Sequence, residues 1–231
     1  MSEDGRDTLA PGGGGSPYGL PEGRERGSPK ASPRLLVTGF GPFPGAPENP
    51  TEALVKALAD EPAEAFGASA FHATALRTEY RWSWEALRRL SADFAPDVVV
   101  HFGLSERIEA IHIECVGRNA VDPKKPDACG HTPSSPRLAE DGPDILSSTF
   151  PADAILAALK VAGFPAALSD DAGDYVCNAT LYRSLHSAPP TRRIGFVHVP
   201  PEGRGGYDRA RLLAAARILL RAAASVEAVP A

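Results

Sequence analysis

The chain has 231 residues, of which 43% are hydrophobic, and its 24 basic and 29 acidic side chains give a formal net charge of −5. This length predicts about one domain with a full core. No segment approaches the ~20 apolar residues that a membrane-spanning helix needs. The acidic balance disfavours a nucleic-acid partner, which requires a concentrated basic surface, and only short basic pairs such as Arg88-Arg89 and Arg192-Arg193 occur.

The cysteines indicate the redox environment. Cys115, Cys129 and Cys177 form no CxxC pair, and their odd number and low density disfavour a disulfide scaffold. The N-terminus lacks the apolar stretch of a secretory signal. We therefore expect a reducing cytoplasm, in which free thiols stay reactive.

The composition also indicates the domain boundaries. Residues 1–33 contain 8 glycines and 5 prolines and almost no large apolar side chains. Such a segment cannot bury enough surface to offset the entropy lost on ordering. It is predicted to be a disordered extension, followed by one folded domain at 34–225 and a flexible C-terminus at 226–231.

Strand-like and helix-like segments alternate along this domain. The strand RLLVTGF at 34–40 precedes a helix that starts at Asn49-Pro50, because asparagine favours the N-cap and proline the first helical position. The remaining predicted elements are a strand at 68–76, a helix at 79–94, a strand at 97–103, a strand at 108–117, a long polar loop at 118–145, a helix at 151–163, a strand at 164–170, a helix at 174–186, a strand at 193–200 and a helix at 207–225. This order predicts an α/β fold with a mainly parallel sheet covered on both faces, in which ligands bind at the carboxyl ends of the strands.

Cys177 lies at the start of the predicted helix at 174–186. With Asp174 as the N-cap it would be the third helical residue, where the helix dipole favours a thiolate. Nearby carboxylates, including that of Asp174, oppose this effect. A packing role is equally compatible with the sequence, because Cys177 shares a helical face with Leu181 and Leu185.

Two histidines compete as a base for this thiol. His198 and His101 each lie near the end of a predicted strand, and the residues alone leave the choice open. No HxxxH or HExxH spacing occurs, so no metal site is predicted. Glu114 interrupts an apolar strand, where a carboxylate is costly unless it is paired. It is predicted to orient a histidine, and a solvated strand-edge glutamate is the alternative.

The first loop, TGFGPFPGAPENPT at 38–51, does not fit a phosphate-binding motif. It matches neither GxGxxG nor GK[ST], which disfavours a nucleotide. Phe40 and Phe43 in this loop are predicted to offer an apolar, aromatic lining, and burial in the core is the alternative.

Four segments, TGFGPFPGAPENPT, IHIECVGRNAVD, DAGDYVCN and GFVHVP, resemble in order and spacing the motifs of the pyroglutamyl peptidase I, or pyrrolidone-carboxylate peptidase, family. The resemblance covers 34–225. It implies a three-layer α/β/α sandwich, a cytoplasmic homotetramer and no cofactor. It also implies a cysteine peptidase that removes N-terminal pyroglutamate from small peptides. By motif, Cys177 corresponds to the nucleophile, His198 to the general base and Glu114 to the residue that orients it.

The resemblance also suggests which residues contact the substrate. The lactam pocket and its surroundings would include Phe40, Phe43, Asn49, Tyr175 and Val176. The sequence departs from the family pattern at two arginine positions, which hold Cys115 and Lys124 here. Lysine keeps the positive charge but lacks the planar fork of arginine, so Lys124 is expected to supply charge near the oxyanion.

Two other functions compete with peptidase activity. A relative that binds a pyroglutamyl or other cyclic ligand without efficient cleavage is favoured by the absent arginines and disfavoured by the complete Cys–His–Glu set. A different α/β hydrolase is disfavoured because no GxSxG motif occurs.

Overall fold

The computed structural model describes residues 31–225. The extension predicted at 1–33 lies outside these residues except for its last three, and the C-terminus predicted at 226–231 lies wholly outside them. Within the described part of the chain, no helix has both the length and the apolar character needed to cross a membrane.

Eight strands and five α-helices make up the described domain. The strands are β1 (Arg34–Phe40), β2 (Ala70–Leu76), β3 (Val98–Leu104), β4 (Ile111–Glu114), β5 (Val116–Arg118), β6 (Ile145–Ser147), β7 (Ala166–Ser169) and β8 (Arg193–Val199). The helices are α1 (Pro50–Ala59), α2 (Tyr80–Phe94), α3 (Ala152–Val161), α4 (Val176–Ser187) and α5 (Arg209–Ser225). Each helix predicted from the sequence is present, with ends that differ by one or two residues.

The main sheet has six strands in the order β2-β1-β3-β8-β4-β7. All neighbouring pairs are parallel except β4 and β8, which are antiparallel. The predicted α/β class with a mainly parallel sheet is therefore confirmed. The one antiparallel pair matters for the site, because it carries Glu114 alongside the strand that holds His198.

Helices cover both faces of this sheet, which confirms the three-layer arrangement. On one face, the side chains of α1, α3 and α5 pack on alternate strand residues such as Leu35 and Val37. On the other face, α2 and α4 pack on Leu36 and Val99. Each fully buried aliphatic side chain contributes about 1.5–3 kcal/mol of transfer free energy, so α4 is held on the sheet by its own apolar face.

The strand predicted at 108–117 is wrong in extent, because the chain divides it into β4 and β5. Cys115 lies at the division, where its N–H donates to the Ser169 carbonyl at 2.7 Å and its own carbonyl accepts from the Ser148 N–H at 2.8 Å. β5 then pairs with β6 in a separate two-stranded sheet. An apolar run cannot reveal such a change of partner.

The N-cap predicted for α4 is also wrong. Tyr175, not Asp174, occupies the cap position, and it makes no side-chain capping bond. Asp174 is engaged elsewhere, because its carboxylate pairs with Lys125 and its carbonyl accepts from the Asp122 N–H at 2.9 Å. Cys177 is therefore the second helical residue rather than the third.

The segment between β5 and β6 contains no helix or strand, and polar side chains anchor it instead. The Asn119 side-chain oxygen accepts from the N–H groups of Leu138 and Ala139 at 2.8 and 2.9 Å. Its amide nitrogen donates to the carbonyls of Ala139 and Gly142 at 2.8 and 3.1 Å. This loop, predicted as a long polar loop at 118–145, is a hydrogen-bonded structure beside α4.

Candidate active site

The nucleophile candidate, Cys177, lies in the first turn of α4. N–H groups in a first helical turn have no carbonyl partner within the helix and carry partial positive charge. The chain enters α4 through Gly173, whose φ of +79° favours glycine. The Cys177 side chain is only partly buried, whereas Leu181 on the same face is fully buried. Partial exposure distinguishes Cys177 from an inert core cysteine.

His198 and Glu114 form a buried hydrogen-bonded pair. The His198 Nδ1–H donates to Glu114 Oε1 at 2.7 Å, and the two residues are 7% and 1% exposed. In the antiparallel pairing of β4 with β8, His112 lies opposite His198 and Glu114 lies opposite Phe196. Glu114 therefore reaches His198 diagonally across the strands, a distance that a long side chain can span.

The protonation of His198 depends on both neighbours. Burial is the largest influence and would lower the pKa of His198. Hydrogen bonds with the Cys177 and Glu114 side chains, together with the negative charges of these groups, outweigh burial and raise this pKa to about 9. Because Nδ1 bonds to Glu114, the other ring nitrogen is the one available to Cys177. At neutral pH this raised pKa favours the protonated imidazolium form of His198.

His101, the rival base, is a hydrogen-bonded core residue. Its Nδ1 lies 2.7 Å from Thr38 Oγ1 and its Nε2 lies 3.1 Å from Ser184 Oγ, and the residue is fully buried. Burial lowers the pKa of His101 to about 3, so the ring stays neutral. With both nitrogens engaged by hydroxyl groups, His101 has no nitrogen free for the Cys177 thiol.

Gly103 lies on β3 directly below the thiol. A Cβ atom at this position would lie 2.6 Å from the Phe196 ring and 3.0 Å from Cys177 Sγ. The first distance is shorter than carbon atoms tolerate. Glycine thus allows α4 and the sulfur to approach the sheet closely.

Aromatic rings gather beside the start of α4. Phe43 and Tyr175 have centroids 6.0 Å apart, and Tyr80 meets Tyr175 edge-on at 5.5 Å. The Tyr175 hydroxyl donates to the Pro126 carbonyl at 3.1 Å. Phe40 is 2% exposed and stacks on Phe196, so of the two predicted phenylalanines only Phe43 is partly accessible.

Two other residues predicted to contact the substrate have structural roles. Asn49 is buried and caps α1, where its side-chain oxygen accepts from the Thr51 N–H at 3.1 Å and its amide donates to the Gly41 carbonyl at 3.1 Å. The Val176 side chain is fully buried in the core. The Val176 N–H lies in the first turn of α4 and has no carbonyl partner within the helix.

Lys124 is not hydrogen-bonded or ion-paired to the catalytic cluster. The Lys124 side chain is exposed, and among residues 31–225 it makes no hydrogen bond or ion pair, although its backbone N–H bonds to Asp122 at 2.9 Å. Its neighbour Lys125 instead pairs with Asp174, three residues before Cys177. The role expected for Lys124 at the oxyanion stays a prediction.

Sequence reasoning missed two residues that shape the site. Asp127 is 2% exposed, and one carboxylate oxygen accepts from the Tyr80 N–H at 3.0 Å at the start of α2. The fully buried Asn178 donates to the Ala120 carbonyl at 2.7 Å and accepts from the Arg118 N–H at 2.9 Å. Asn178 immediately follows Cys177, and this adjacency was the only sequence signal for its importance.

A three-layer α/β protein that joins a thiol, an imidazole and a buried carboxylate in this way has the fold and site of a cysteine hydrolase. The family model for pyroglutamyl peptidase matches residues 33–204. The chain belongs to the pyroglutamyl peptidase family, and it is an enzyme of the cysteine-peptidase class.

Individual relatives and solved structures agree with this assignment. The pyrrolidone-carboxylate peptidase of Thermococcus onnurineus is 37% identical, over 77% of this chain and 88% of that protein. That of Clavibacter michiganensis is 35% identical, over 77% and 84%. The crystal structure of pyrrolidone carboxyl peptidase from Thermus thermophilus matches with a TM-score of 0.74 at 30% identity, covering 81% of this chain and 98% of that one. Pyroglutamyl peptidase I from Bacillus amyloliquefaciens matches with a TM-score of 0.77 at 25% identity, covering 87% and 99%.

Proposed function

We propose that this enzyme removes N-terminal pyroglutamate from small peptides by a Cys–His–Glu mechanism. The observation that carries the proposal is the buried 2.7 Å bond between Glu114 and His198. It leaves the second ring nitrogen of His198 for Cys177. Membership of the pyroglutamyl peptidase family, and relatives named pyrrolidone-carboxylate peptidase, supply the substrate class.

Each residue of the cluster has one role in the proposed reaction. The Cys177 thiolate attacks the carbonyl carbon of the amide that joins pyroglutamate to the next residue. The His198 imidazolium then gives its proton to the departing amine, which leaves a thioester on Cys177. His198, now neutral, takes a proton from water as the water attacks the thioester, and pyroglutamate and the thiolate are released. Glu114 holds the ring in orientation throughout.

The start of α4 supports the developing oxyanion. Backbone N–H groups of the first turn, including those of Val176 and Cys177, are not bonded within the helix. One such donor is worth ~2.7–4 kcal/mol in measured oxyanion holes. The positive end of the helix dipole adds to this stabilisation.

The lactam ring is proposed to bind among the aromatic side chains beside Cys177. Phe43 and Tyr175 would provide the accessible ring surfaces, and Phe40 would support them from the core. Val176 would act through its main chain. Asn49 would act indirectly, by holding the loop that carries Phe43. Lys124 remains a candidate source of positive charge near the oxyanion.

Hydrolysis of a pyroglutamyl amide of a fluorescent amine by the purified protein tests this function. We expect thiol-dependent turnover that iodoacetamide abolishes. Cys177→Ala should reduce kcat about a million-fold, as removal of other catalytic nucleophiles does, while Cys129→Ala is the matched control and should keep activity. Turnover that survives in Cys177→Ala would contradict the mechanism.

The same hydrolysis assay, combined with a binding measurement, distinguishes the peptidase from the non-cleaving alternative. One observation favours that alternative, namely that the Lys124 side chain makes no hydrogen bond or ion pair with the catalytic residues in the described part of the chain. A protein that binds a pyroglutamyl peptide, measured by calorimetry, but releases no amine over hours would be a binder. We expect release within minutes.

The assembly and the compartment remain predictions from the family resemblance. A cytoplasmic homotetramer is expected. Light scattering after size exclusion should give four chains per particle, and a monomer at micromolar concentration would contradict this expectation.

A further inference from the structure

A cavity of roughly 280 Å³ lies between α2, α4 and the loop before β6, and its lining is strongly basic. Its charged side chains are four arginines and a single glutamate, namely Arg81, Arg88, Arg137, Arg183 and Glu85. His131, Ser134 and Ser135 add polar groups. Such a concentration of positive charge is unexpected in a chain whose net charge is −5. None of the lining residues belongs to the catalytic cluster.

Two of the four arginines are neutralised by carboxylates. Arg81 pairs with Glu85 at 2.8 Å, and Arg137 pairs with Asp144 at 2.9 Å. Arg88 and Arg183 have no ion pair among residues 31–225, and Arg88 acts on Glu85 only at longer range. The cavity therefore keeps two guanidinium groups that have no ion-pair contact.

Arg183 is the less expected of these two groups, because it is partly buried. One of its guanidinium nitrogens donates to the Tyr80 carbonyl at 3.0 Å. Burial lowers the pKa of Arg183, which reflects the cost of removing a charge from water without a counter-charge. Its remaining N–H groups have no acceptor within the described part of the chain. An anion in the cavity would provide both the charge and the acceptors.

The size and donor chemistry of the cavity indicate which anion fits. Its volume is at the lower limit for small-molecule sites, which suits a compact ligand. Guanidinium forks match the geometry of phosphate oxygens. The Ser135 hydroxyl oxygen accepts from the Arg137 N–H at 3.1 Å, so its proton can be donated into the cavity.

We propose that this cavity binds a tetrahedral oxyanion of the phosphate class through Arg88 and Arg183, with hydroxyl donors from the loop at 134–135. Because α2 carries Arg88 and α4 carries Arg183, the bound anion would link these helices. α4 also carries Cys177, so an occupied site would stabilise the helix that presents the nucleophile.

Thermal unfolding of the full-length protein in inorganic phosphate tests the site, with sodium chloride adjusted to hold ionic strength constant. A ligand that binds only the native state raises Tm, and above its Kd the rise in stability follows the logarithm of the ligand concentration. Arg88→Gln and Arg183→Gln should each weaken phosphate binding about tenfold or more, since a charged hydrogen bond is lost. Arg89→Gln is the matched control, because Arg89 is exposed on the same helix and does not line the cavity.

A second titration, with glycerol phosphate, separates the two sources of this chemistry. Tighter binding of glycerol phosphate would identify a phosphomonoester as the ligand, and tighter binding of inorganic phosphate would identify the free ion. Either result supports the site. Arg183→Gln also removes the hydrogen bond to the Tyr80 carbonyl. If this variant fails to fold, the Arg88→Gln result alone tests the phosphate site. A phosphate effect that is absent, or identical in Arg88→Gln and Arg89→Gln, would overturn the proposal.

Discussion

Glu114 is the residue whose position is hardest to explain by stability. It is 1% exposed, one of its oxygens bonds to His198, and Oε2 has no partner among residues 31–225. A buried carboxylate with an unpaired oxygen destabilises a fold. Its presence is understandable if the carboxylate is needed to orient His198 and to stabilise the imidazolium.

Replacement of Glu114 by glutamine tests this role. Glu114→Gln keeps the size of the side chain but removes the charge and allows the wrong ring tautomer. We expect kcat to fall about 10⁴-fold, as in the equivalent change in a serine protease, with a smaller change in KM. Glu106→Gln, at an exposed glutamate, is the control. Equal activities of the two variants would show that Glu114 is not catalytically coupled.

The raised pKa of His198 predicts a pH dependence of stability. The folded pKa of about 9 exceeds the usual unfolded value of about 6.5. The imidazolium therefore stabilises the native state fully below about pH 6.5, and this contribution is lost as pH rises towards 9. Urea unfolding of the wild type should show a larger decrease in stability from pH 6 to pH 9.5 than His198→Asn. Parallel decreases would contradict the raised pKa.

Lys124 and Lys125 form a natural pair of variants. Lys125 pairs with Asp174 near the start of α4, whereas the Lys124 side chain makes no hydrogen bond or ion pair among residues 31–225. Such exposed ion pairs contribute at most about 1 kcal/mol to stability, so neither alanine variant should unfold. If Lys124 supplies charge near the oxyanion, Lys124→Ala lowers kcat more than it changes KM, because the charge acts mainly in the transition state, and Lys125→Ala is near neutral. Equal, small effects of the two substitutions in kcat assays would remove Lys124 from the site.

At the scale of elements, the sequence predicts the helices and parallel strands well but not the β4–β5 division. The apolar run DVVVHFG is buried on both faces, and so its pattern predicts β3 directly. The segment through Cys115 alternates apolar and polar residues over 111–115 without a break, although it crosses between two sheets. Its division depends on contacts with Ser148 and Ser169, which are distant in sequence. The N-cap of α4 depends on a distant contact too, because the Asp174 carboxylate pairs with Lys125 instead of capping the helix.

The candidate site is likewise predictable from the sequence only where local signals suffice. Glu114 is conspicuous in the sequence because it interrupts an apolar strand, and Cys177 because it lies at the start of a predicted helix. His198 and His101 could not be separated by the residues alone, since both end apolar strands. Only the fold shows that Thr38 and Ser184 occupy both nitrogens of His101.

Asp127 links the loop before β6 to helix α2 by hydrogen bonds, and its substitution tests the importance of this link. Asp127 caps α2 by accepting from the Tyr80 N–H, and its other oxygen accepts from the His131 N–H at 2.9 Å. Asp127→Ala should lower stability by about 0.5–2 kcal/mol, as loss of a helix cap does. Because the same loop bonds to Tyr175 through Pro126, KM should rise as well. Asp141→Ala, in an exposed part of the loop, should change neither Tm nor KM.

For the whole molecule, the boundaries of the folding unit follow from long-range contacts at its first strand. The Pro33 carbonyl accepts from the Ser69 N–H at 2.9 Å. The Arg34 N–H donates to Asp97 at 2.8 Å. The next residue, Leu35, is fully buried in the core. The chain is thus tied to the domain from Pro33 onward.

Two shortened chains test this boundary. A chain that starts at Ala31 keeps every contact of β1, so it should match the full-length protein in Tm and kcat/KM. A chain that starts at Leu36 loses the backbone bonds of Pro33 and Arg34 and the buried Leu35 side chain. Removal of one buried leucine costs about 2–5 kcal/mol, which for a domain of this size lowers Tm by roughly 4–20 °C. If the Ala31 chain also lost stability, residues 1–30 would contribute to the fold. If the Leu36 chain kept the full Tm, the edge of the core would lie further along β1 than these contacts indicate.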